Sequence, residues 1–489
     1  MMQKSSNIPS ADPFLAFGQE YSLLPVVVRY AWLLIFVAGM FLHPAPAFAA
    51  QTNAAAAAPA WLAQPMSLAD AISMALLQNA SIRKGQSDLE VSQGVVVQTR
   101  AIALPKVRGT SGYTHDEAVE KFPFPTKDLA RVNPPKEQWN GELRIIQTIY
   151  EGGRIRSAWQ IARLTRQQAL YQYNAVVADA LLQVRTAYFN VLQAEQQIVV
   201  QEASVALLTR SLKNSNERFE AGTVPRFDVL RSEVELASAR PRLIRAKNQY
   251  LIAKNNLATL LGYNIPANIW EDIPIILTGK LESPPYQIEL PAAIAEALER
   301  RPELGVFRKM EGLRKEQIVV AKAGYKPRID LFAGYGAHNS RYFDEILRDV
   351  SGGIAGVEFN WDIFDGNLTK GKVMEAKAYY EKAVIESDEA TRRVELEVRT
   401  AYSTFVEARE VLESQKRVQE RAEEALRLAE SRYDAGSSTQ LDVLSAQTSL
   451  TEARTTQINA LRDYSVARAQ LGRSLGEDVP REAPPGKGK

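Results

Sequence analysis

Residues 366–373 read Gly-Asn-Leu-Thr-Lys-Gly-Lys-Val and come close to a phosphate-binding loop. Such a loop has the pattern G-x-x-x-x-G-K-[ST], in which the hydroxyl group after the lysine binds Mg²⁺. Val373 stands where that hydroxyl group is needed. The two glycines therefore indicate a turn between a strand and a helix, and we do not predict a nucleotide site here.

Side chains that could hold a metal or act as nucleophiles are scarce. The chain has no Cys, which excludes disulfides, thiolate metal sites and cysteine nucleophiles, and it has only three His. His115 and His338 lie near the ends of corresponding predicted strands, where exposed loop positions are favoured over a metal ring. Hydrolase motifs such as G-x-S-x-G and H-E-x-x-H do not occur. We therefore predict no catalytic residues, no metal, no cofactor and no enzyme activity.

Two aspartates, Asp228 and Asp442, each follow a glycine by six residues. Glycine permits the left-handed backbone that ends a helix, so Gly222 and Gly436 predict two helix reversals. A carboxylate in the first turn of a helix interacts favourably with the helix dipole. The spacing therefore predicts an acidic residue at the start of each returning helix.

These two segments belong to a duplicated chain. The sequence Val-Arg-Thr-Ala-Tyr at 184–188 recurs at 398–402, and Arg-Phe-Glu-Ala-Gly at 218–222 matches Arg-Tyr-Asp-Ala-Gly at 432–436, both 214 residues later. Upstream the offset is 222, so a loop insertion is predicted between Tyr113 and Tyr150. We predict repeats at 66–262 and 290–476, joined by an irregular, proline-containing equatorial connection at 263–289.

Each repeat has a short helical stretch, two strand-like runs and a long helical hairpin. The segment from Arg154 to Phe219 would be one helix roughly 100 Å long, at 1.5 Å per residue. Its apolar positions recur at alternate spacings of four and three, which indicates a heptad seam. The seam residues are Tyr173, Val177, Ala180, Val184, Ala187, Val191, Ala194 and Ile198, and in the second repeat Thr391, Val394, Val398, Ala401, Phe405, Ala408 and Leu412. A solvated coiled-coil rod remains an alternative at this point.

Pro241 interrupts the first returning helix, where the second repeat has Thr455, so the two hairpins are expected to differ in curvature.

The strand-like runs alternate apolar and polar residues. Residues 328–337 place Ile329, Leu331, Ala333 and Tyr335 on one face, and residues 353–362 alternate likewise. About ten such residues with aromatic residues near the ends suit a transmembrane β-barrel strand, although a sheet packed on the helices is the alternative. Four strands cannot close a barrel around a lumen, and lipid does not tolerate an open sheet edge. If these strands span a membrane, several chains must share one barrel.

Charge and hydropathy restrict the classes of function. The formal net charge is +2 and charged residues make up 24% of the chain, so nothing indicates a nucleic-acid partner. A mean hydropathy of −0.22 excludes a polytopic helical membrane protein.

Residues 30–42 are apolar or small and are followed by A-x-A cleavage patterns. This pattern predicts a signal peptide at 1–49 over the alternative of an N-terminal anchor. A flexible linker is expected at 50–65 and a disordered tail at 477–489.

The duplicated plan resembles the TolC family of outer-membrane efflux proteins. The resemblance rests on Tyr-Glu-Gly-Gly at 150–153 and Phe-Asp-Gly at 364–366, where strands lead into long helices, and on both hairpin tips. It implies a mainly α fold with a membrane β-barrel: duplicated long α-helical hairpins forming an α-barrel, and four strands per chain contributing to a shared trimeric β-barrel. It also implies a homotrimer in outer-membrane lipid with a periplasmic extension, a periplasmic adaptor (membrane fusion) protein as partner, and an inner-membrane transporter reached through that adaptor.

The resemblance also assigns roles to residues at the tips. Asp228 and Asp442 would form rings of three carboxylates at a periplasmic gate, with the helix-dipole role as the alternative. Ser438 and Ser445 stand where some relatives carry a basic tethering residue and an additional acid, so this gate is expected to be less tightly charged. The expected adaptor-docking residues are Arg218, Phe219, Gly222, Thr223, Arg432, Tyr433, Gly436 and Ser437.

The predicted function is a passive outer-membrane exit duct of a tripartite efflux or type I secretion system. An adaptor would open it at the periplasmic helical tips. The alternative is a periplasmic coiled-coil adaptor or scaffold protein, but such adaptors usually have one helical hairpin per chain and this sequence has two.

Overall fold

A computed structural model describes most of the two repeats. The described residues are 65–115, 137–263, 273–343 and 346–478. Outside them lie the predicted signal peptide, residues 50–64 of the predicted linker, residues 116–136 of the predicted insertion, residues 264–272 of the predicted connection and residues 479–489 of the predicted tail.

The described residues form eight α-helices. They are α1 (Leu68–Gln78), α2 (Ala80–Arg100), α3 (Arg154–Glu220), α4 (Arg226–Leu260), α5 (Leu290–Arg300), α6 (Pro302–Lys322), α7 (Leu368–Asp434) and α8 (Gln440–Leu475). The two long helices, α3 and α7, have 67 residues each, which corresponds to about 100 Å. No helix in this part of the chain has a stretch long and apolar enough to cross a membrane.

The heptad seams hold each hairpin together. Val184 and Val398, which occupy equivalent positions, are both 0% exposed. At the end of the first hairpin away from its tip, α3 packs through Val184, Tyr188 and Val191 on Leu257 of α4 and on Leu261, which follows that helix. The second hairpin repeats this packing between α7 and α8. Because most of the seam residues are buried, the heptad seam predicted for each long helix is confirmed.

The helices form four columns. In the half nearer the tips the order of neighbours is α4, α3, α8 and α7. In the half nearer the sheet α2 and α6 replace α4 and α8 beside the two long helices. Each long helix is therefore one continuous column, and the shorter helices stack in pairs to complete the other two.

Four antiparallel strands continue beyond the helices in the order β2, β3, β5, β6. Their bounds are β2 (Lys106–His115), β3 (Glu137–Glu151), β5 (Arg328–Phe343) and β6 (Ile346–Asn360). The run predicted at 328–337 stops six residues before the end of β5. The run predicted at 353–362 begins seven residues after the start of β6 and continues two residues beyond its end. Glycines interrupt the alternation near the turn between β5 and β6, at Gly336, Gly352 and Gly353, so the pattern could not be followed further.

The two faces of this sheet differ in polarity. Tyr335 lies opposite Leu143 and Gly353, and Leu331 lies opposite Val357, so their side chains share one face. The exposed apolar residues of this face are Val107, Tyr113, Leu143, Ile145, Leu331, Tyr335, Val357 and Phe359. The other face carries Arg328, Asp330 and Glu358, and its polar groups pair: the Thr148 hydroxyl donates to Asp330 at 2.6 Å. The alternation predicted from the sequence is confirmed.

The connection between the repeats contains a short strand that the sequence did not predict. In the parallel pair β1 (Pro65–Met66) and β4 (Ile276–Leu277), residue Pro65 lies opposite Ile276. The Tyr188 hydroxyl donates to the Met66 carbonyl at 3.2 Å and accepts from the Gly279 N–H at 3.1 Å. Pro65 is therefore part of the folded unit, although the linker was predicted to extend to it.

The two residues after the predicted end of the second repeat still contact it. Glu477 accepts a hydrogen bond from the Tyr286 hydroxyl at 3.0 Å and pairs with Arg468 at 3.1 Å. Asp478 pairs with Arg185 of α3 at 2.6 Å. We therefore assign these two residues to the end of the second hairpin and not to the tail.

Candidate functional site

Both hairpin tips end their long helix with the same hydrogen-bonded turn. In the first tip the N–H of Thr223 donates to the Arg218 carbonyl and that of Gly222 to the Phe219 carbonyl, both at 2.9 Å. In the second tip Ser437 donates to Arg432 at 2.9 Å and Gly436 to Tyr433 at 3.0 Å. This is the Schellman pattern, which requires a left-handed residue.

Glycine supplies that conformation at each tip. Gly222 has φ +74° and Gly436 has φ +72°, and a Cβ at either position would meet no atom within 4 Å. The hydroxyl groups of Thr223 and Ser437 add a second hydrogen bond to the same carbonyls, at 2.8 and 3.1 Å. The predicted helix reversals at these glycines are confirmed, and backbone geometry accounts for the glycines.

Arg218 joins the two tips. Its guanidinium donates to Oδ1 of Asp434 in the second hairpin at 2.8 Å. It also stacks over the ring of Tyr433, with 4.4 Å between the guanidinium carbon and the ring centroid. Asp434 was not among the predicted tip residues, because its role depends on which hairpins are neighbours.

The two aspartates differ in what they contact. Asp442 accepts hydrogen bonds from the Thr439 N–H at 2.9 Å, the Thr439 hydroxyl at 2.8 Å and the Ser438 hydroxyl at 2.7 Å. These hydrogen bonds, that of the Thr439 N–H first, lower the pKa of Asp442 from 3.8 to about 2. Thr439 and Asp442 thereby form a capping box at the start of α8.

Asp228 occupies the equivalent place in α4 without such a cap. The residue before α4 is Pro225, whose side chain makes no capping hydrogen bond to the helix. The Asp228 N–H donates to the Pro225 carbonyl at 3.1 Å. Asp228 is half-buried and Asp442 is exposed. Both carboxylates thus lie in the first turn of a returning helix, as predicted, but only Asp442 is fixed by its neighbours.

A buried polar cluster lies just above the tips, where the two hairpins meet. Gln440 Nε2 donates to Ser215 Oγ of α3 at 2.6 Å and to Ser232 Oγ of α4 at 2.5 Å. All three side chains are at least 95% buried. The Gln440 Oε1 atom and the Tyr433 hydroxyl have no hydrogen-bond partner among the described residues.

The contact between α3 and α8 remains polar for much of its length. Gln193 donates to Asn459 at 2.9 Å, Gln197 to Thr455 at 3.0 Å, and Thr451 to Ser204 at 3.3 Å. We call these three pairs, together with the Gln440 cluster, the polar ladder. The contact between the hairpins also has apolar members near the tips, where Leu208 clusters with Leu444 and Leu207 packs against Val443 and Leu450. It is therefore mixed, whereas the seam within each hairpin is mainly apolar.

The other candidate sites have structural roles. Gly366 and Asn367 have φ +65° and +69° and form the turn before α7. The N–H of Thr369 in α7 donates to Oδ2 of Asp365 at 2.8 Å. The two histidines lie in strands and not in loops as predicted: His115 ends β2 and His338 lies within β5. His115 shares a sheet face with Tyr113, and His338 lies on the opposite face with Asp330, so one chain does not bring both to a common metal ion.

Comparisons with known proteins agree with this geometry. A model of the family described as "Outer membrane efflux protein" matches residues 71–263 and 293–477. The chain is 24% identical to outer membrane protein TolC of Escherichia coli (strain K12) over 428 residues, covering 85% of this chain and 83% of that protein. It is 25% identical over 456 residues to the cobalt-zinc-cadmium resistance protein CzcC of Cupriavidus metallidurans, covering 92% and 100%.

The fold is also found in solved structures. The crystal structure of the Campylobacter jejuni CmeC outer membrane channel superimposes with a TM-score of 0.73 at 17% identity, over 85% of this chain and 87% of that one. The VceC outer membrane protein of Vibrio cholerae gives a TM-score of 0.69 at 20% identity, over 84% and 96%. Because the family model covers most of both repeats, the chain belongs to the outer membrane efflux protein family and is an exit duct of the outer membrane for efflux or secretion.

Proposed function

We propose that three of these chains close into one duct. The observation that carries this proposal is that both layers of the described chain end in open edges. In the sheet, β2 and β6 each have a strand on one side only. Three chains would supply twelve strands, and a closed sheet removes the unpaired backbone groups that lipid does not tolerate.

The helical layer has open edges at the corresponding ends. Helix α4 exposes Phe227, Val234 and Ile244, and α7 exposes Val411 and Val418. These residues recur near heptad spacing on the outermost helices of the four columns. We infer that α4 of one chain packs against α7 of the next, which gives twelve columns around a tunnel.

The native mass of the protein tests this assembly. Protein extracted with detergent from isolated outer membranes is expected to have the mass of three chains. A monomer or dimer released from the membrane without detergent would contradict the shared barrel.

The duct is passive in this proposal. A periplasmic adaptor docks on the tips, and an inner-membrane transporter, reached through that adaptor, supplies the energy. The docking residues are the eight at the tips, of which Gly222, Thr223, Gly436 and Ser437 form the exposed ends of the two turns. Asp228 and Asp442 line the constriction, and the low pKa of Asp442 keeps its carboxylate charged at neutral pH.

Single-channel selectivity tests the gate. The double variant Asp228→Asn/Asp442→Asn should lose much of its preference for cations, because rings of carboxylates attract cations. Asp442→Asn also loses part of the α8 cap, so Thr439→Ala is the matched control: it weakens the cap and retains the charge. Unchanged selectivity in the double variant, or an equal loss in Thr439→Ala, would contradict the gate assignment.

The polar ladder supports opening between the hairpins. When two packed apolar surfaces part, their side chains are exposed to water at a cost, whereas hydrogen-bonding groups exchange one partner for water. The buried Gln440 Oε1 and Tyr433 hydroxyl would gain partners on hydration. We therefore propose that the hairpins move apart as units along the α3–α8 contact, while each longer apolar seam stays intact. This opening also separates the few apolar contacts between the hairpins, at Leu207, Leu208 and Leu444.

A further inference from the structure

Two apolar side chains project from the turn that follows β6. Ile363 is 85% exposed and Phe364 is 81% exposed, which makes them the most exposed large apolar residues of the described chain. Leu368, at the start of α7, is also exposed. Exposed apolar groups that adjoin one another indicate a surface that contacts a partner or a membrane.

The turn itself is fixed at its helix end. Asp365 caps α7 through the Thr369 N–H, and the Thr369 side chain is buried. Gly366 and Asn367 adopt the left-handed conformation that reverses the chain there. The outward direction of Ile363 and Phe364 is therefore built into the start of the helix.

The apolar face of the sheet continues into this turn. Val357 and Phe359 on β6 are 65% and 60% exposed, and Trp361, just after the end of the strand, is 50% exposed. The Trp361 indole N–H donates to the Tyr325 carbonyl at 3.2 Å. An aromatic residue with an apolar body and a satisfied polar group at the end of an apolar band is typical of a membrane–water interface.

We propose that Ile363 and Phe364 insert into the periplasm-facing leaflet of the outer membrane, at the boundary between acyl chains and head groups. The partner is the phospholipid bilayer itself. These residues extend the apolar face of the sheet, which faces lipid in the proposed barrel, at its helical end. This inference rests on the proposed ring of chains, in which the apolar face of the sheet is the outer face of the barrel.

In the first repeat the equivalent positions, 214 residues earlier, are Ile149 and Tyr150, which lie at the end of β3 and are less exposed, at 54% and 40%. The strand-to-helix turn of this repeat contains Gly152 and Gly153, and a Cβ at Gly152 would lie 2.8 Å from the Ala323 carbonyl oxygen. A larger side chain is thus excluded from Gly152, and the turn stays close to the protein. Of the two equivalent pairs in each chain, Ile363 and Phe364 of the second repeat therefore project further from the protein.

Single-cysteine labelling tests this inference directly, since the chain has no Cys of its own. The variants Phe364→Cys, Tyr335→Cys and Lys416→Cys carry one polarity-sensitive fluorophore each, in the full chain reconstituted into phosphatidylethanolamine–phosphatidylglycerol vesicles. Tyr335 reports the lipid-facing side of the sheet, and the exposed Lys416 reports the aqueous part of α7. The vesicles contain lipids with a quencher either near the head group or deep in the acyl chains.

The Phe364 label should emit at shorter wavelength than the Lys416 label and be quenched several-fold more by the head-group quencher. The Tyr335 label should respond to the deep quencher, which verifies that the sheet lies in lipid. Quenching of the Phe364 label by aqueous iodide to the same degree as the Lys416 label would overturn the inference. Shielding of the Phe364 label from both iodide and lipid would also overturn it, because a neighbouring chain would then cover the turn. If the Tyr335 label also avoids lipid, the proposed barrel is wrong, and the proposed insertion of Ile363 and Phe364 is wrong with it.

Discussion

The carboxylate of Asp442 accepts three hydrogen bonds from Ser438 and Thr439 and caps α8. Asp228 has no such donors in its cap, because Pro225 precedes α4 and proline lacks an N–H. The spacing in the sequence is the same at both tips, but the residues between glycine and aspartate determine whether a cap can form. The two aspartates should therefore differ in their effect on stability.

The pH dependence of unfolding tests this difference. Because the pKa of Asp442 in the folded chain, about 2, lies below the ordinary 3.8, the ionised carboxylate stabilises the fold above pH 3.8. That stabilisation is lost as the pH falls from 3.8 toward 2. Asp442→Asn should therefore unfold at a lower temperature than the wild type at neutral pH, and the two melting temperatures should converge in acid. Asp228→Asn serves as the control; convergence of the same size there would contradict the capping role.

Arg218 is the residue that most directly holds the two tips together. An exposed ion pair contributes about 0.2–1 kcal/mol and a cation–π contact about 0.5–1 kcal/mol. We expect Arg218→Ala to raise the open-to-closed ratio of purified channels by roughly five- to thirtyfold, if the loss is about 1–2 kcal/mol. Conductance in planar bilayers measures this ratio.

Lys213→Ala is the matched control for Arg218→Ala. Lys213 also lies near the end of α3, but its ion pair is with Glu217 of the same helix, at 3.9 Å. This control should leave the conductance unchanged. Equal conductance of the Arg218 variant and the wild type would show that the contact with Asp434 and Tyr433 does not keep the tips closed.

At the scale of elements, the tip turns depend on left-handed glycine. Placing a residue with a Cβ in this conformation costs about 1–2 kcal/mol. Gly222→Ala and Gly436→Ala should each lower stability by about 1 kcal/mol, as measured by thermal unfolding. Gly371 lies within α7, where a Cβ would also meet nothing within 4 Å. Gly371→Ala should instead raise stability by about 0.5–1 kcal/mol, and the same sign at all three positions would contradict this account.

Pro241 distinguishes the two returning helices. It lies inside α4 and is exposed, so replacing it removes no packing. Pro241→Ala restores a backbone donor and should stabilise α4 by as much as about 3 kcal/mol. The equivalent Thr455→Ala in α8 should instead destabilise by about 0.5–1.5 kcal/mol, since it removes the acceptor of Gln197. Thermal unfolding should show a higher melting temperature for Pro241→Ala and a lower one for Thr455→Ala than for the wild type. A lower melting temperature of Pro241→Ala would show that the fold requires the proline.

The sequence predicted the elements that repeat and missed contacts formed where the repeats differ. The seam around Val184 and Val398 follows from heptad spacing, and the strand faces follow from alternation. Ser215, Ser232 and Gln440 were missed, because they come together only when two hairpins pack side by side. Their counterparts 214 residues away are Ala429, Ala446 and Arg226, so the cluster is absent from the duplicated pattern. Positions at which two otherwise similar repeats differ in polarity are thus a signal for the contact between them.

At the scale of the whole molecule, assembly too depends on features that neither repeat shows by itself. Four strands and four helical columns were predictable, because each repeat supplies half of them. Neither repeat alone could reveal that the open edges of the sheet and the open edges of the helical layer lie on the same two sides of the protein. That arrangement follows from the order β2, β3, β5, β6 beside the order α4, α3, α8, α7.

The equal length of α3 and α7, 67 residues each, has a mechanical consequence. In the proposed ring the six turns reach the same height and form a flat rim, against which a ring of adaptors can seal without gaps. Removing seven residues from both arms of the second hairpin would lower three of the six turns by about 10 Å. We expect such chains to assemble but to leak or fail in export, as measured by cargo release from cells. Shortening both hairpins by the same seven residues should make the rim flat again and recover more export than shortening one, although the duct is then shorter.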